Sequence, residues 1–192
     1  MPLRGEPVIV VTGLPRSGTS MLMQMLAAGG VPILSDGARQ ADEDNPHGYF
    51  EFEPVKQLLK NSQWLFEARG KAVKIVAPLI GALPRGLACR VILCERNLEE
   101  VLDSQDRMLE RRGEPAAPEH RELLKQEYTR TIARVKAMLR RRPDTEQLVI
   151  EHGQAIADPV RTAGRVNEFL GGGMDIAKMA AVVDPALHRN RT

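Results

Sequence analysis

The chain has 192 residues, 43% of them hydrophobic, with 27 Lys and Arg against 25 Asp and Glu for a formal net charge of +2. That length suits one domain with a full core, and the composition excludes a disordered chain. The near balance of charge argues against a nucleic acid or a membrane surface held by bulk charge. Two cysteines without a C-x-x-C motif exclude a disulfide framework, and no apolar run approaches the roughly 20 residues of a membrane helix.

The first predicted strand, residues 8–12, begins after only seven residues, which leaves no room for a signal peptide and makes a cytoplasmic protein the expectation. Residues 18–28 (GTSMLMQMLAA) read as a Met- and Leu-rich helix stopped by Gly29 and Gly30. "VPIL" at 31–34 reads as a short extended piece. Residues 35–49, polar and rich in turn formers, read as a long loop. A helix is predicted over 54–68, with Leu58, Leu59, Trp64, Leu65 and Phe66 towards the core. Strands follow at 72–76 and 90–95, long helices at 98–112 and 119–142, a fourth strand at 147–151 and a helix at 155–170. Gly171, Gly172 and Gly173 stop that helix, and a short one is expected over 174–182. Strands alternating with helices imply an α/β fold of three layers, a central parallel β-sheet flanked by helices. No internal repeat or linker divides the chain, so residues 1–192 are expected to form a single domain.

"VTGLPRSGTSM", Val11 to Met21, carries the chemistry. A β-branched strand enters a Gly-framed loop and a helix leaves it, which makes an anion cradle from backbone N–H groups and the helix dipole. Gly13 and Gly18 sit where the P-loop pattern G-x-x-x-x-G-K-[ST] puts its glycines, so the fold is expected to be P-loop NTPase-like. Thr19 stands in the lysine's place, followed by Ser20, and the positive charge has moved inside the loop to Arg16. Ser17, Thr19 and Ser20 add hydroxyls, and Arg16 adds a planar fork suited to oxyanions. The competing reading is an ordinary strand-to-helix turn with a stray arginine. A P-loop kinase also needs a strand ending in Asp for Mg²⁺. The predicted strands end instead near Ala77, at Glu95 and at Glu151.

The segment Pro15-Arg16-Ser17-Gly18-Thr19-Ser20 resembles the loop with which sulfotransferases bind the 5'-phosphosulfate of 3'-phosphoadenosine 5'-phosphosulfate (PAPS). "RVILCERNLEEVLDS" is similar to the same family's 3'-phosphate site, in which a strand ends in Arg and a Ser follows eight residues later. Here those positions are Arg96 and Ser104. "VKIVAP" is similar to the strand that carries Lys-Thr-His-x-Pro. Lys74 and Pro78 match it, and Val76 stands where the family's catalytic His would be. On the residues alone, an edge-strand lysine pointing outward fits Lys74 equally well. "NPHGYFE" (45–51) resembles a segment of small bacterial members. The family's closing basic segment is not recognisable, which leaves Arg161, Arg165 and the "HRNR" tail (188–191) as stand-ins.

The resemblance implies transfer of a sulfonate from PAPS to a hydroxyl or amine acceptor by in-line displacement at sulfur, with no metal required. Arg16 and Lys74 are implied as charge stabilisers. With Val76 unable to act as base, the candidates are Asp36, Glu51 and His47. Asp36 falls near the catalytic Glu position of the tyrosylprotein branch. Glu51 sits among Tyr49, Phe50 and Phe52, where an apolar setting would make it a better base. Each also has a structural reading, as a turn residue, a backbone acceptor and a solvated loop residue in turn. A small-molecule or glycan-type acceptor is expected, walled by Tyr49, Phe50, Phe52 and Trp64, with a homodimer as the way to complete an open site. Two alternatives stay open: a P-loop nucleotide kinase or phosphotransferase, and a catalytically degenerate nucleotide-binding module.

Overall fold

The computed structural model describes residues 5–37, 48–114 and 117–184. Its centre is β1 (Val8–Gly13), every residue of which is buried. A strand buried on both faces needs partners on both edges and apolar layers above and below. β1 pairs in parallel with β2 (Ala72–Lys74) on one side and with β3 (Cys89–Glu95) on the other. β4 (Thr145–Glu151) extends the sheet beyond β3, giving the all-parallel order β2-β1-β3-β4. The predicted extended piece 31–34 covers the outer edge of β2, through an Ile33–Ala72 bridge and a hydrogen bond from Leu34 N to Ala72 O at 2.8 Å.

Alternation along the strands separates two apolar layers. Val8, Val10, Val73, Val91 and Leu93 face a cluster completed by Leu58, Leu65 and, from α3 (Pro118–Arg140), Val135 and Leu139. Ile9, Val11, Ala72, Ile92 and Cys94 face Leu22, Met23 and Leu26 of α1 (Thr19–Ala28), together with later helices of the chain. The expected three-layer α/β architecture is therefore present. Among the described residues no helix is long and apolar enough to cross a membrane.

Three sequence expectations are corrected. The helix expected over 54–68 is two 3-10 turns, Glu53–Gln57 and Gln63–Glu67. Asn61 Oδ1 accepts from Gln63 N at 3.1 Å, and this local turn competes with helix propagation. As a result only Leu58 and Leu65 are buried and Trp64 packs at the cluster's margin, while Leu59 and Phe66 are exposed. The strand expected over 72–76 stops at Lys74, and Ala77–Ala82 form a 3-10 turn begun by Pro78. The helix expected over 155–170 is two: α4 (His152–Ala157) and α5 (Pro159–Phe169). Pro159 forces Asp158 out of helical geometry, and Asp158 caps α5 by accepting from Arg161 N at 3.0 Å. A final helix, α6 (Ile176–Ala181), lies within the range expected for it.

A polar knot closes the end of the sheet remote from the Gly-rich loop. Asp144 accepts from Arg142 Nη2 at 2.9 Å and Gly86 N at 2.7 Å, while Arg142 Nη1 donates to Leu83 O at 2.7 Å. Burial pushes the Asp144 carboxyl up, but its bonds from Arg142, Gly86 and Thr145 outweigh that and hold it below the usual 3.8. A lowered native pKa means stabilisation that is full above the unfolded value and lost as pH falls through the native one. Asp144→Asn is expected to destabilise the fold by about 2 kcal/mol at pH 7, the scale of a hydrogen bond to a charged group. In urea titrations the gap between wild type and variant should narrow as pH falls through the lowered native pKa of Asp144. A gap as wide at pH 2 as at pH 7 would remove the carboxylate from the account.

Candidate active site

The parallel sheet brings four chain crossings to one edge, the edge at which open α/β sheets bind ligands. Gly13 is in register with Cys94, Cys94 with Ile150, and Glu95 with Glu151. The Gly-rich loop, Arg96 and His152 therefore emerge side by side. Lys74, in register with Val11, lies just behind them.

The loop is held from beneath. Ser17 is buried, and its Oγ donates to Leu14 O at 2.8 Å while its N–H donates to the same carbonyl at 3.2 Å. The Ser17 hydroxyl proton is thus engaged inside the loop. Cys94 Sγ donates to Ser17 O at 2.9 Å, and burial pushes that thiol up to about 12, so it remains a protonated donor. A Cβ on Gly13 would lie 2.4 Å from Ser17 Oγ and 2.7 Å from Cys94 O, which accounts for glycine there. Gly18 is the N-cap of α1 with φ 99°, and no side chain caps the helix. The first-turn N–H groups, with Thr19 and Ser20 half-buried beside them, are thus left for an anion. Arg16 has φ 67° and Phe50 φ 50°, and no other described non-glycine residue has a positive φ. Strain of this kind concentrates at functional sites, and these two residues lie on the two segments singled out from sequence.

Arg16, Arg96 and Ser104 come together. Arg16 Nε donates to Ser104 Oγ at 3.0 Å, and Arg96 Nη1 donates to Arg16 O at 3.1 Å. Asn97 caps α2 (Leu98–Arg111) by accepting from Glu99 N at 2.9 Å, which orients the helix that carries Ser104. Arg96 Nε donates to Glu100 Oε2 at 2.8 Å. The Arg96 side chain is only 7% exposed, and its Nη2 is buried without a hydrogen-bond partner among the described residues. A buried, unmatched guanidinium nitrogen beside an uncapped helix N-terminus fits an anionic oxygen.

Lys74, the last residue of β2, is half-buried. Its Nζ donates to Tyr49 O and lies 5.9 Å from the Tyr49 ring centroid. Asp36 is exposed, and its Oδ2 accepts from Glu53 N at 2.5 Å, capping the 3-10 turn that follows. Asp36 N donates to Glu51 O at 3.2 Å, which places the two candidate bases on paired segments. Glu51 is half-buried. His47 and the 188–191 tail lie outside the described residues. The aromatic wall divides: Tyr49 is buried, Phe50 packs on the α1 side of the sheet, and Phe52 and Trp64 meet edge to face at 5.2 Å on the α3 side.

The two strand-end carboxylates are engaged elsewhere. Glu95 pairs with Lys136 of α3 at 2.5 Å, and Glu151 Oε2 accepts from Gln154 Nε2 at 2.6 Å. Among the described residues no group of three or more His, Cys, Asp or Glu is arranged to hold a metal ion. Two residues at the site escaped the sequence reading. Glu100 had a signal, its i+4 spacing from Arg96 and i−4 from Ser104. His152, buried against Gly18, had none, because only the β3–β4 register brings it there.

No family model matches the sequence, and no curated protein matches it. Solved structures do. Sulfotransferase STF1 of Mycobacterium tuberculosis aligns over 94% of this chain and 71% of its own, with TM-score 0.61 and 15% identity. The sulfotransferase domain of a Synechococcus olefin synthase aligns over 100% and 90%, with TM-score 0.54 and 15% identity. Mouse SULT7A1, solved with PAP, aligns over 94% and 63%, with TM-score 0.51 and 14% identity. The chain has the sulfotransferase fold.

Proposed function

We propose that the chain is a sulfotransferase that takes its sulfonate from PAPS and passes it to a hydroxyl or amine acceptor. The observation that carries the reading is the Arg16–Arg96–Ser104 cluster set against the uncapped N-terminus of α1. PAPS supplies the activated sulfonate when bound. The N–H groups at the start of α1 would hold its 5'-phosphate, and Arg96 with Ser104 its 3'-phosphate. Arg16 links the two groups, and Lys74 stands behind them on β2, so both cations can oppose charge that develops during displacement. That the mouse neighbour was solved with PAP supports the choice of nucleotide. The engagement of Glu95 and Glu151 with Lys136 and Gln154 favours this reading over a Mg²⁺-dependent kinase.

For the base, geometry favours Glu51. Asp36 is exposed and already accepts from Glu53 N. Glu51→Gln is expected to lower kcat about 100-fold, the scale of a lost general base, with binding of adenosine 3',5'-bisphosphate unchanged. Asp36→Asn should leave kcat within a few-fold. The reverse pattern would transfer the role to Asp36. The acceptor is expected to be a small molecule or a glycan, with a second copy of the chain as the means of enclosing it. Isothermal titration with adenosine 3',5'-bisphosphate tests the whole reading. Micromolar binding is expected, and no binding at high micromolar nucleotide would overturn it.

A further inference from the structure

We propose that Glu100 is the positioning residue of the phosphate site: it locks Arg96 so that one guanidinium nitrogen is presented to the nucleotide. The proposal rests on the reading of Arg96 as a phosphate ligand. Arginine has five donors on three nitrogens in one plane, and two anchored nitrogens fix that plane. Nε is anchored on Glu100 Oε2 at 2.8 Å and Nη1 on Arg16 O at 3.1 Å. Nη2 is the nitrogen left without a partner among the described residues. Both side chains of the pair are nearly buried, 7% exposed for Arg96 and 12% for Glu100, so solvent does little to loosen it.

The placement of Glu100 follows from the helix. Asn97 caps α2, which puts Glu100 in the first turn, where the helix dipole favours a carboxylate. One turn later on the same face stands Ser104, which accepts from Arg16 Nε. One helix face therefore holds both arginines, Arg96 through Glu100 and Arg16 through Ser104. A long side chain already ordered loses little freedom when it meets a ligand, which is the benefit of preorganisation. Glu100 also places negative charge near an incoming anion. Orientation and charge thus act in opposite directions, and the two can be separated experimentally.

The experiment compares Glu100→Ala, Glu100→Asp and Glu100→Gln by titration with adenosine 3',5'-bisphosphate and by steady-state kinetics with PAPS. Glutamine keeps the acceptor at the same reach without charge. Aspartate keeps the charge and falls short by one methylene. The expected pattern is a roughly tenfold rise in Kd and in KM for PAPS in the Ala and Asp variants, near wild-type values for Gln, and kcat within twofold throughout. A merely structural glutamate would not produce that KM-against-kcat split or its rescue by Gln. Equal or tighter binding in the Asp variant overturns the proposal, as does a Gln variant as weak as Asp. If Glu100→Ala fails to fold, the Asp and Gln pair decides alone. Failure of the wild type to bind the bisphosphate would sink the phosphate reading itself, and is thereby distinct from failure of this inference.

Discussion

Arg96→Ala is expected to weaken binding of adenosine 3',5'-bisphosphate about 100-fold while the protein remains folded. The side chain is almost fully buried, its Nη1 holds the carbonyl of Arg16, and its Nη2 is unmatched in the described structure. A charge-assisted bond from such a group contributes roughly 1.5–3 kcal/mol, and each 1.4 kcal/mol is about tenfold in Kd. Arg96→Lys should restore little. A lysine has a single point of charge and cannot bond Glu100, the loop carbonyl and a phosphate in one plane. Titration calorimetry measures the effect, and circular dichroism separates it from unfolding. Binding within threefold of wild type in Arg96→Ala would remove Arg96 from the site.

Gly18→Ala is expected to destabilise the fold strongly. The residue sits at φ 99°, where a Cβ is strained, and that Cβ would lie 2.4 Å from His152 Cδ2 and 3.2 Å from Nε2. Left-handed backbone costs an L-residue about 1–2 kcal/mol, and overpacking costs about 1–3 more. A loss near 3 kcal/mol corresponds to a fall in Tm on the order of 6–12 °C for a chain of this size. Removing the ring in Gly18→Ala/His152→Ala should relieve the clash but not the backbone strain. The double variant should therefore lose less than the sum of the single losses. Thermal and urea denaturation of the four proteins form the cycle. Strictly additive losses would show that His152 and the loop do not press on each other.

The site divides between what lies close along the chain and what does not. The Gly-framed loop, the strand before it and the helix after it were legible in "VTGLPRSGTSM", because β-branched residues, paired glycines and a Leu- and Met-rich run act locally. Arg96, Asn97 and Ser104 were legible for the same reason, as one strand end and one helix. What each hydroxyl does was not legible. Ser17 reads as a ligand donor, and in the structure its Oγ donates to Leu14 O. Asp36 reads as a candidate base, and in the structure its Oδ2 accepts from Glu53 N. The helix read over 54–68 has the right apolar spacing, yet the Asn61 turn divides it into two pieces.

By itself the sequence determined the α/β class, the order of the four strands along the chain, and the Gly-framed loop that joins the first strand to its helix. These follow from periodicity, capping and glycine placement, all of which act over a few residues. Only the tertiary structure decided that Arg16 reaches across to Ser104, that Arg96 holds the carbonyl of Arg16, and that His152 packs on Gly18. Those contacts span 88 residues between Arg16 and Ser104 and 80 between Arg96 and Arg16. They depend on the order β2-β1-β3-β4 and its register. That register comes from burying two apolar faces at once, so it belongs to the assembled sheet and to no single segment.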